Sequence, residues 1–162
     1  MRYLILILLL LMSCSQVNGQ DKKTKQNTNK RVKTEITLEQ IDNYRAQYRA
    51  FLDAIAKVES NNNDKAIGDK GKAIGRYQVW EIYWKDALTY APKIEGTYQD
   101  CRTKDYAERV LIAYMMRYAR KALQDNDLQT LARIHNGGPK GAEKDATLPY
   151  WEKVSKALSA SR

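Results

Sequence analysis

Two carboxylates ten residues apart are the side chains of this sequence best placed for acid–base chemistry. Glu59 falls on the apolar face of a periodic segment, in its last turn, and Asp69 lies in a glycine-flanked loop. An apolar surrounding and the negative end of a helix disfavour a charged Glu59, whereas a solvated Asp69 stays ionised. One protonated and one ionised carboxyl group suit the cleavage of a glycosidic bond. The alternative is that Glu59 only ends an amphipathic helix at the surface.

The element expected to position Glu59 is an amphipathic helix of about 22 residues. Thr37 and Gln40 form a capping-box pattern at its start. Apolar side chains then recur at intervals of three and four residues, at Leu38, Ile41, Tyr44, Tyr48, Leu52 and Ile55.

The rest of the domain is expected to combine a small β element with several helices. Between Ser60 and Gly75 the helical periodicity stops, and asparagines, aspartates and glycines mark turns. Short β segments are expected at 66–67 and 73–79. Further helices are predicted at roughly 80–90, from 103 or 105 onward, at 128–134 and at 149–158. These elements indicate an α+β fold.

The N-terminus has the features of an export signal. Leu4 to Met12 is an uninterrupted apolar run, shorter than the about 20 residues of a membrane span but typical of a secretory signal. The sequence Leu11-Met12-Ser13-Cys14 resembles the lipobox of bacterial lipoproteins, in which the cysteine carries lipid. We predict a signal peptide at 1–13, a lipid-anchor cysteine (Cys14) with a flexible basic tether at 14–35, and a catalytic domain at 36–162.

The charge of the chain indicates an anionic partner. The net charge is +9, and for an exported protein we expect cell-wall polymer or lipid headgroups rather than nucleic acid. The expected location is that of a membrane-anchored lipoprotein facing the periplasm or outer membrane. The alternative is plain secretion, with signal cleavage near Gly19.

No residue pattern in the sequence indicates a cofactor. The chain has one histidine, His135, and two cysteines, Cys14 and Cys101, which do not show the ligand spacing of a zinc site. A glycine-rich phosphate loop is also absent from the sequence. We therefore expect catalysis without a metal or an organic cofactor. If Cys14 carries lipid, Cys101 has no partner for an intrachain disulfide.

Short motifs spread over the domain match one known family. They are Val58-Glu59-Ser60, Asp69-Lys70-Gly71, Gly75-Arg76-Tyr77-Gln78-Val79, Tyr83-Trp84-Lys85-Asp86, His135-Asn136-Gly137-Gly138-Pro139-Lys140-Gly141 and Tyr150-Trp151-Glu152-Lys153-Val154. With them the chain resembles the invertebrate-type lysozymes, the destabilase family, over roughly residues 52–155. The last two motifs are the most specific, whereas the Glu-Ser pair is shared loosely with other lysozymes and lytic transglycosylases.

The resemblance implies a lysozyme-like fold and a muramidase that cuts the β-1,4 glycan of peptidoglycan. Glu59 matches the family's general acid and Asp69 its second catalytic carboxylate. Because the loop before Asp69 is shorter than in the family, Asp64 stays an alternative. The family is rich in disulfides, but here only Cys101 occupies one of its cysteine positions, which implies a bacterial, lipid-anchored version without disulfides. A proteinaceous lysozyme inhibitor is a further partner that the resemblance implies.

The resemblance also suggests residues that contact substrate. Tyr77 and Gln78 match the family's cleft-lining strand, with core packing as the alternative. His135, Asn136 and Gly137 are expected in the cleft wall, with a structural turn as the alternative.

Aromatic residues elsewhere in the motifs are predicted to pack in the core. This prediction covers Tyr83, Trp84, Tyr150 and Trp151. For Tyr83 and Trp84 the alternative is a platform on which a sugar ring lies.

Three other functions stay open at this point. A lytic transglycosylase needs only the glutamate and releases an anhydro sugar. Isopeptidase action would need an activated nucleophile, for which the spacing shows no convincing Ser-His or Ser-Lys pair. A catalytically silent wall-binding lipoprotein would not need both Glu59 and Asp69.

Overall fold

Helices dominate the part of the chain that this computed structural model describes, residues 36–160. A small antiparallel sheet follows the second helix, which confirms the predicted α+β architecture. No helix within these residues is long and apolar enough to cross a membrane. The helices are α1 (Leu38–Gln47), α2 (Arg49–Ser60), α3 (Glu81–Tyr90), α4 (Lys104–Tyr118), α5 (Arg120–Gln124), α6 (Leu128–Gly137) and α7 (Leu148–Ala160). Short 3-10 helices span Asp69–Gly71, Tyr98–Arg102, Gly141–Glu143 and Asp145–Thr147.

The first predicted helix is interrupted near its middle. Its capping box is present, because Thr37 and Gln40 exchange backbone-to-side-chain hydrogen bonds of 3.0 and 3.1 Å. Tyr48, with φ −98° and ψ 19°, leaves helical geometry and separates α1 from α2. Its buried hydroxyl donates to the Leu123 carbonyl oxygen at 2.5 Å. Since α1 packs against α4 and α2 against α7, the break lets the two halves contact different neighbours.

The sheet within the described chain consists of three strands of two residues each. They are β1 (Ile67–Gly68), β2 (Ala73–Ile74) and β3 (Val79–Trp80), adjacent in that order. Antiparallel pairing places Ile67 opposite Ile74 and Ala73 opposite Trp80. Strands this short are not stable alone, so the packing around them must hold the sheet.

A close backbone contact provides that support. Gly75 has φ +72°, and a Cβ atom there would lie 2.3 Å from the carbonyl oxygen of Cys101. Only glycine permits this approach of the sheet to the 3-10 helix Tyr98–Arg102. The Tyr98 hydroxyl adds hydrogen bonds to the carbonyl oxygens of Val79 and Lys72, at 2.8 and 2.9 Å.

The other predicted helices are confirmed, with differences at their ends. The fourth helix begins at Lys104, and the helix predicted at 128–134 continues to Gly137. Helix α5 was not predicted. It follows Ala119, whose φ of −139° ends α4 and turns the chain.

Helix α4 is the centre of the core, and it carries a buried carboxylate. Glu108 is fully buried and accepts hydrogen bonds from Arg45 at 2.9 Å and Arg49 at 2.6 Å. The Tyr77 hydroxyl donates to the same carboxylate at 2.8 Å. These contacts join α1, α2 and the turn before β3 to α4, so Glu108 links elements that are distant in sequence.

Candidate active site

A cleft of about 360 Å³ lies where the end of α2, the sheet, α3 and the end of α6 meet. It brings together both predicted catalytic carboxylates, and its wall mixes acidic, amide, aromatic and aliphatic side chains. The lining residues are Glu59, Asp69, Gln78, Trp80, Ile82, Tyr83, Asp86, Tyr114, His135, Asn136, Gly138 and Pro139.

Glu59 enters the cleft from the last turn of α2. The helix ends directly after it, at Ser60, where Asn61 takes a left-handed conformation with φ +57°. The Glu59 side chain is 17% exposed. Its Oε1 accepts a hydrogen bond from the Tyr150 hydroxyl at 2.8 Å and lies 3.3 Å from Nε2 of His135. Both contacts fall on one oxygen, and within the described chain no hydrogen bond is made to Oε2.

His135 connects Glu59 to a buried aromatic stack. Its Nδ1 lies 3.4 Å from the Tyr83 hydroxyl, and the Tyr83 ring stacks on Tyr114 with ring centroids 3.6 Å apart. Burial raises the pKa of Tyr83 well above its ordinary value, so its hydroxyl keeps its proton and can donate. A neutral imidazole has one donor and one acceptor. The tautomer with hydrogen on Nε2 therefore satisfies both contacts, accepting from Tyr83 and donating to Glu59.

Tyr150 reaches Glu59 from α7. Burial, followed by the proximity of Glu59, raises the pKa of Tyr150 well above its ordinary value. Its hydroxyl therefore remains a hydrogen-bond donor at any pH at which the enzyme would work. The sequence analysis predicted packing for Tyr150, and the structure adds this polar contact.

Asp69 lines the same cleft, in the turn between β1 and β2. It is exposed, and its Oδ2 accepts a hydrogen bond from the indole nitrogen of Trp80 at 3.0 Å. Its backbone has φ +46°, and the next residue, Lys70, has φ +56°. Left-handed conformations of non-glycine residues cost energy and are concentrated at functional sites. The turn therefore holds Asp69 in an orientation that relaxed backbone would not give.

Asp64, the alternative second carboxylate, is engaged elsewhere. Its carboxylate binds Arg76 in a two-pronged ion pair, with contacts of 2.5 and 3.0 Å. This hydrogen bonding lowers the pKa of Asp64 below its ordinary value. Asp64 does not line the cleft, whereas Asp69 does, so the geometry favours Asp69.

The two residues predicted on the cleft-lining strand have different places. Gln78 lines the cleft, with φ +47° and a hydrogen bond from its side-chain nitrogen to the Gly75 carbonyl oxygen at 2.9 Å. Tyr77 is fully buried, and its hydroxyl donates to Glu108. Both residues lie in the turn before β3 rather than on an extended strand. Because Tyr77 is fully buried there, the prediction of substrate contact for Tyr77 is wrong and its alternative, core packing, is correct.

In the motif that begins at His135, some residues line the cleft and one does not. His135 and Asn136 line the cleft, as do Gly138 and Pro139. Gly137 does not. A Cβ atom at Gly137 would lie 2.6 Å from the Thr147 methyl group, so its close approach serves packing rather than substrate.

Several residues of the site were missed by the sequence analysis. Trp80, Ile82 and Asp86 line the cleft. Asp86 lies in a motif of the resemblance but was given no role, and no pattern separates Trp80 and Ile82 from the start of an amphipathic helix. Tyr150 is 91 residues from Glu59, so no local spacing could pair them. One available signal was that a buried tyrosine hydroxyl requires a hydrogen-bond partner.

Of the two cysteines, Cys101 lies in the described part of the chain. Cys101 is free and fully buried, and burial raises the pKa of its thiol to about 12. Cys14, the predicted lipid attachment site, lies outside the described residues.

Comparison of the sequence with known proteins gives consistent similarities. The Destabilase family model matches residues 48–157. A lysozyme of Meretrix lusoria is 32% identical over 108 residues, which are 65% of this chain and 85% of that protein. Invertebrate-type lysozyme 6 of Caenorhabditis elegans is 30% identical over 119 residues, 68% of this chain and 86% of that protein.

Solved structures resemble the fold over the same part of the chain. The crystal structure of Tapes japonica lysozyme matches with a TM-score of 0.56 at 29% identity, covering 67% of this chain and 88% of that one. A complex of Aeromonas hydrophila PliI with Meretrix lusoria lysozyme matches with a TM-score of 0.56 at 30% identity and the same coverage. The fold is therefore lysozyme-like.

Proposed function

This chain belongs to the destabilase family, and on that premise we propose that its cleft hydrolyses the β-1,4 glycan of peptidoglycan with Glu59 and Asp69. The activity is that of a lysozyme-type glycosidase, the activity for which its relatives are named. One observation carries the assignment of the acid: two groups, the Tyr150 hydroxyl at 2.8 Å and His135 Nε2 at 3.3 Å, fix a single oxygen of a shielded glutamate.

The contacts on Glu59 suggest how it acts as the general acid. With Oε1 held by Tyr150 and His135, Oε2 is the oxygen that carries the transferable proton. Glu59 donates this proton to the glycosidic oxygen as the bond to the anomeric carbon breaks, and the leaving sugar departs as an alcohol. Tyr150 and His135 act as positioning residues, because they fix the carboxyl group without contacting the reacting atoms.

Asp69 serves as the second carboxylate. It meets the positive charge that develops at the anomeric carbon, and in a retaining reaction it forms a covalent bond to that carbon. Water then attacks the intermediate, and Glu59, now ionised, takes the proton of that water. The Trp80 indole, which donates to Oδ2, keeps the Asp69 carboxylate in place through both steps.

The remaining cleft residues form the surface for the glycan. Gln78 and Asn136 offer amide donors and acceptors for sugar hydroxyl and acetamido groups. Trp80 and Ile82, which are 41% and 64% exposed, offer apolar faces on which a sugar ring can lie.

The test of this function is mass spectrometry of the muropeptides released from purified sacculi. Hydrolysis gives fragments with reducing ends, whereas a lytic transglycosylase gives anhydro sugars that are lighter by one water. Peptide cleavage without new glycan ends would indicate an isopeptidase. Release of no fragment at all by folded protein would contradict the proposal.

The substrate places the enzyme outside the cytoplasm, and we propose that it is exported and anchored through lipid on Cys14. Replacing Cys14 by alanine should release the protein from membranes and leave glycan cleavage unchanged, because the anchor is separate from the catalytic domain. Membrane fractionation measures the first effect and turbidity clearing the second. Retention of the Cys14→Ala protein on membranes would contradict lipidation.

The cleft also suggests a protein partner. The related lysozyme of Meretrix lusoria forms a complex with PliI and has been solved in an inhibitor-bound form. We propose a proteinaceous lysozyme inhibitor as the corresponding partner of this chain.

A further inference from the structure

A second and larger concavity lies on the other side of α2. It has a volume of about 1130 Å³ and is formed mainly by α2 and α7, with Arg76 from the turn between β2 and β3 and Lys104 from α4. Lys57 lines it, whereas Glu59 lines the catalytic cleft. Two residues along an α-helix are separated by about 200° around its axis. The concavity, which we call the basic groove, is therefore a separate site that shares a helix with the active site.

Positive charge dominates the basic groove. Its only acidic lining residue within the described chain is Asp53. Part of the positive charge is neutralised locally, since Arg49 binds Glu108 and Lys104 binds Asp53. The basic lining residues are Arg49, Lys57, Arg76, Lys104, Lys153 and Lys156.

Three of the basic lining residues are exposed and form no ion pair with another described residue: Lys57, Lys153 and Lys156. The Lys57 ammonium group donates to the Asn61 side chain. This leaves Lys153 and Lys156, both on α7, as the cations most available to a ligand. They stand three positions apart, so both lie on the same face of the helix. A ligand with two anionic groups can therefore meet both side chains at once.

The floor of the basic groove limits the kind of ligand. It consists of small aliphatic side chains, those of Ala50, Ala54, Ala157 and Ala160. No aromatic residue of the described chain lines it, so it offers no stacking surface of the kind that binds nucleic-acid bases. Its concave shape fits an extended chain better than the flat surface of a bilayer.

We propose that the basic groove binds an alanine-rich peptide that carries carboxylates, the chemistry of the peptide stems of peptidoglycan. Stem methyl groups would contact the alanine floor, and stem carboxylates would meet Lys153 and Lys156. Naming peptidoglycan as the source of this peptide rests on the proposed function. Because the groove and the cleft are on opposite sides of α2, the bound stem belongs to a strand beside the one being cut. Simultaneous contact with two strands would increase the residence of the enzyme on the wall.

The test measures peptide binding by the full chain without any glycan. The probe is the tetrapeptide L-Ala-D-Glu-diaminopimelate-D-Ala, titrated by calorimetry at low salt. We expect saturable binding that weakens by about tenfold in a Lys153→Gln/Lys156→Gln variant, from the loss of two exposed charge contacts. The matched control is Lys85→Gln/Lys121→Gln, which removes equal charge on α3 and α5 and should bind like the unchanged protein.

Three results would overturn the proposal. The first is that the tetrapeptide does not bind, and the second is that both double variants weaken its binding equally. The third is that the Lys153→Gln/Lys156→Gln variant still binds the peptide but no longer binds phosphatidylglycerol vesicles. The last result would assign the groove to lipid. Cleavage of a peptide-free chitooligosaccharide, measured in parallel, should be equal in all variants. If even the unchanged protein fails to cleave glycan, the proposed function fails, while the titration still decides on the groove.

Discussion

Two glutamates of this domain are shielded from solvent but meet different kinds of partner. Glu108, in the core, is bound by two arginine side chains at 2.9 and 2.6 Å. Glu59, in the cleft, contacts a tyrosine hydroxyl and a histidine ring. No lysine or arginine among residues 36–160 forms an ion pair with Glu59.

The difference in partners separates a structural carboxylate from the one that we propose as the catalytic acid. Two guanidinium groups and the Tyr77 hydroxyl donate to both oxygens of the Glu108 side chain, so that Glu108 holds helices together. A hydroxyl and an imidazole orient Glu59 while leaving one oxygen open to substrate. Burial alone therefore does not distinguish the two glutamates, whereas the type of partner does.

The largest effect on activity is expected from Glu59→Gln. The amide keeps the shape of the side chain but has no proton to transfer, and general acid catalysis is worth about 10²–10⁴-fold. We expect a loss of turbidity clearing in that range or beyond, with little change in the melting temperature. Full activity in a folded Glu59→Gln protein would exclude Glu59 as the acid.

Glu108→Gln should show the opposite pattern. Removing one partner of a buried ion pair costs about 3–5 kcal/mol, so chemical denaturation should show a large loss in the free energy of unfolding. The rate per folded molecule should stay near that of the unchanged enzyme. Asp105→Asn is the control, because Asp105 also binds Arg45 but is 82% exposed, and exposed pairs contribute only about 0–1 kcal/mol. Equal losses in both variants would mean that burial does not set the strength of this network.

Asp69 and Asp64 also compare a carboxylate in the cleft with one that is paired to an arginine. Asp69→Asn should slow cleavage by about 10²-fold or more, because it removes the charge opposite the transition state. Asp64→Asn loses only its pair with Arg76, and we expect a change below about fivefold. An active Asp69→Asn with an inactive Asp64→Asn would move the second carboxylate to Asp64.

NMR of the first-formed anomer tests the role of Asp69 as nucleophile. A retaining enzyme keeps its carboxyl groups about 5–5.5 Å apart, whereas an inverting one needs about 6.5–9.5 Å. The family resemblance implies the shorter separation, so we expect the β anomer first. An initial α product would contradict the retaining mechanism.

A smaller effect is expected from Tyr150→Phe. The change removes the hydrogen bond to Glu59, worth about 1 kcal/mol, so kcat should fall about tenfold or less while KM is unchanged. Tyr48→Phe is the matched control, because it removes a buried tyrosine hydroxyl that binds the Leu123 carbonyl oxygen and should lower stability without lowering kcat. A kcat that falls equally in both variants would remove the positioning role from Tyr150.

Much of the fold was predictable because it depends on local patterns. The capping box at Thr37 and Gln40, the helical periodicity and the turn residues after Ser60 all act over a few positions. The break at Tyr48 was not predictable, because the apolar stripe continues through it and the break serves packing against two different helices. Tyr77 was misplaced for a similar reason, since its partner Glu108 is 31 residues away in sequence.

The residues of the candidate site also fall into those that local motifs predict and those that depend on contacts between distant elements. Glu59, Asp69, Gln78, His135 and Asn136 were predicted from motifs and are all found in the cleft. The Tyr150 contact and the role of the Trp80 indole depend on how distant elements meet. Such contacts leave no periodic signal in a single sequence.

Because Cys101 is buried, its reactivity can be used to measure how often the packing around it opens. Its thiol is buried, which raises the pKa of the thiol to about 12, and its carbonyl oxygen lies against Gly75, in the turn between β2 and β3. In a Cys14→Ala background, an alkylating reagent can modify Cys101 only when the packing around it separates. The alkylation rate under native conditions therefore measures how often the structure opens locally near the turn that carries Asp69.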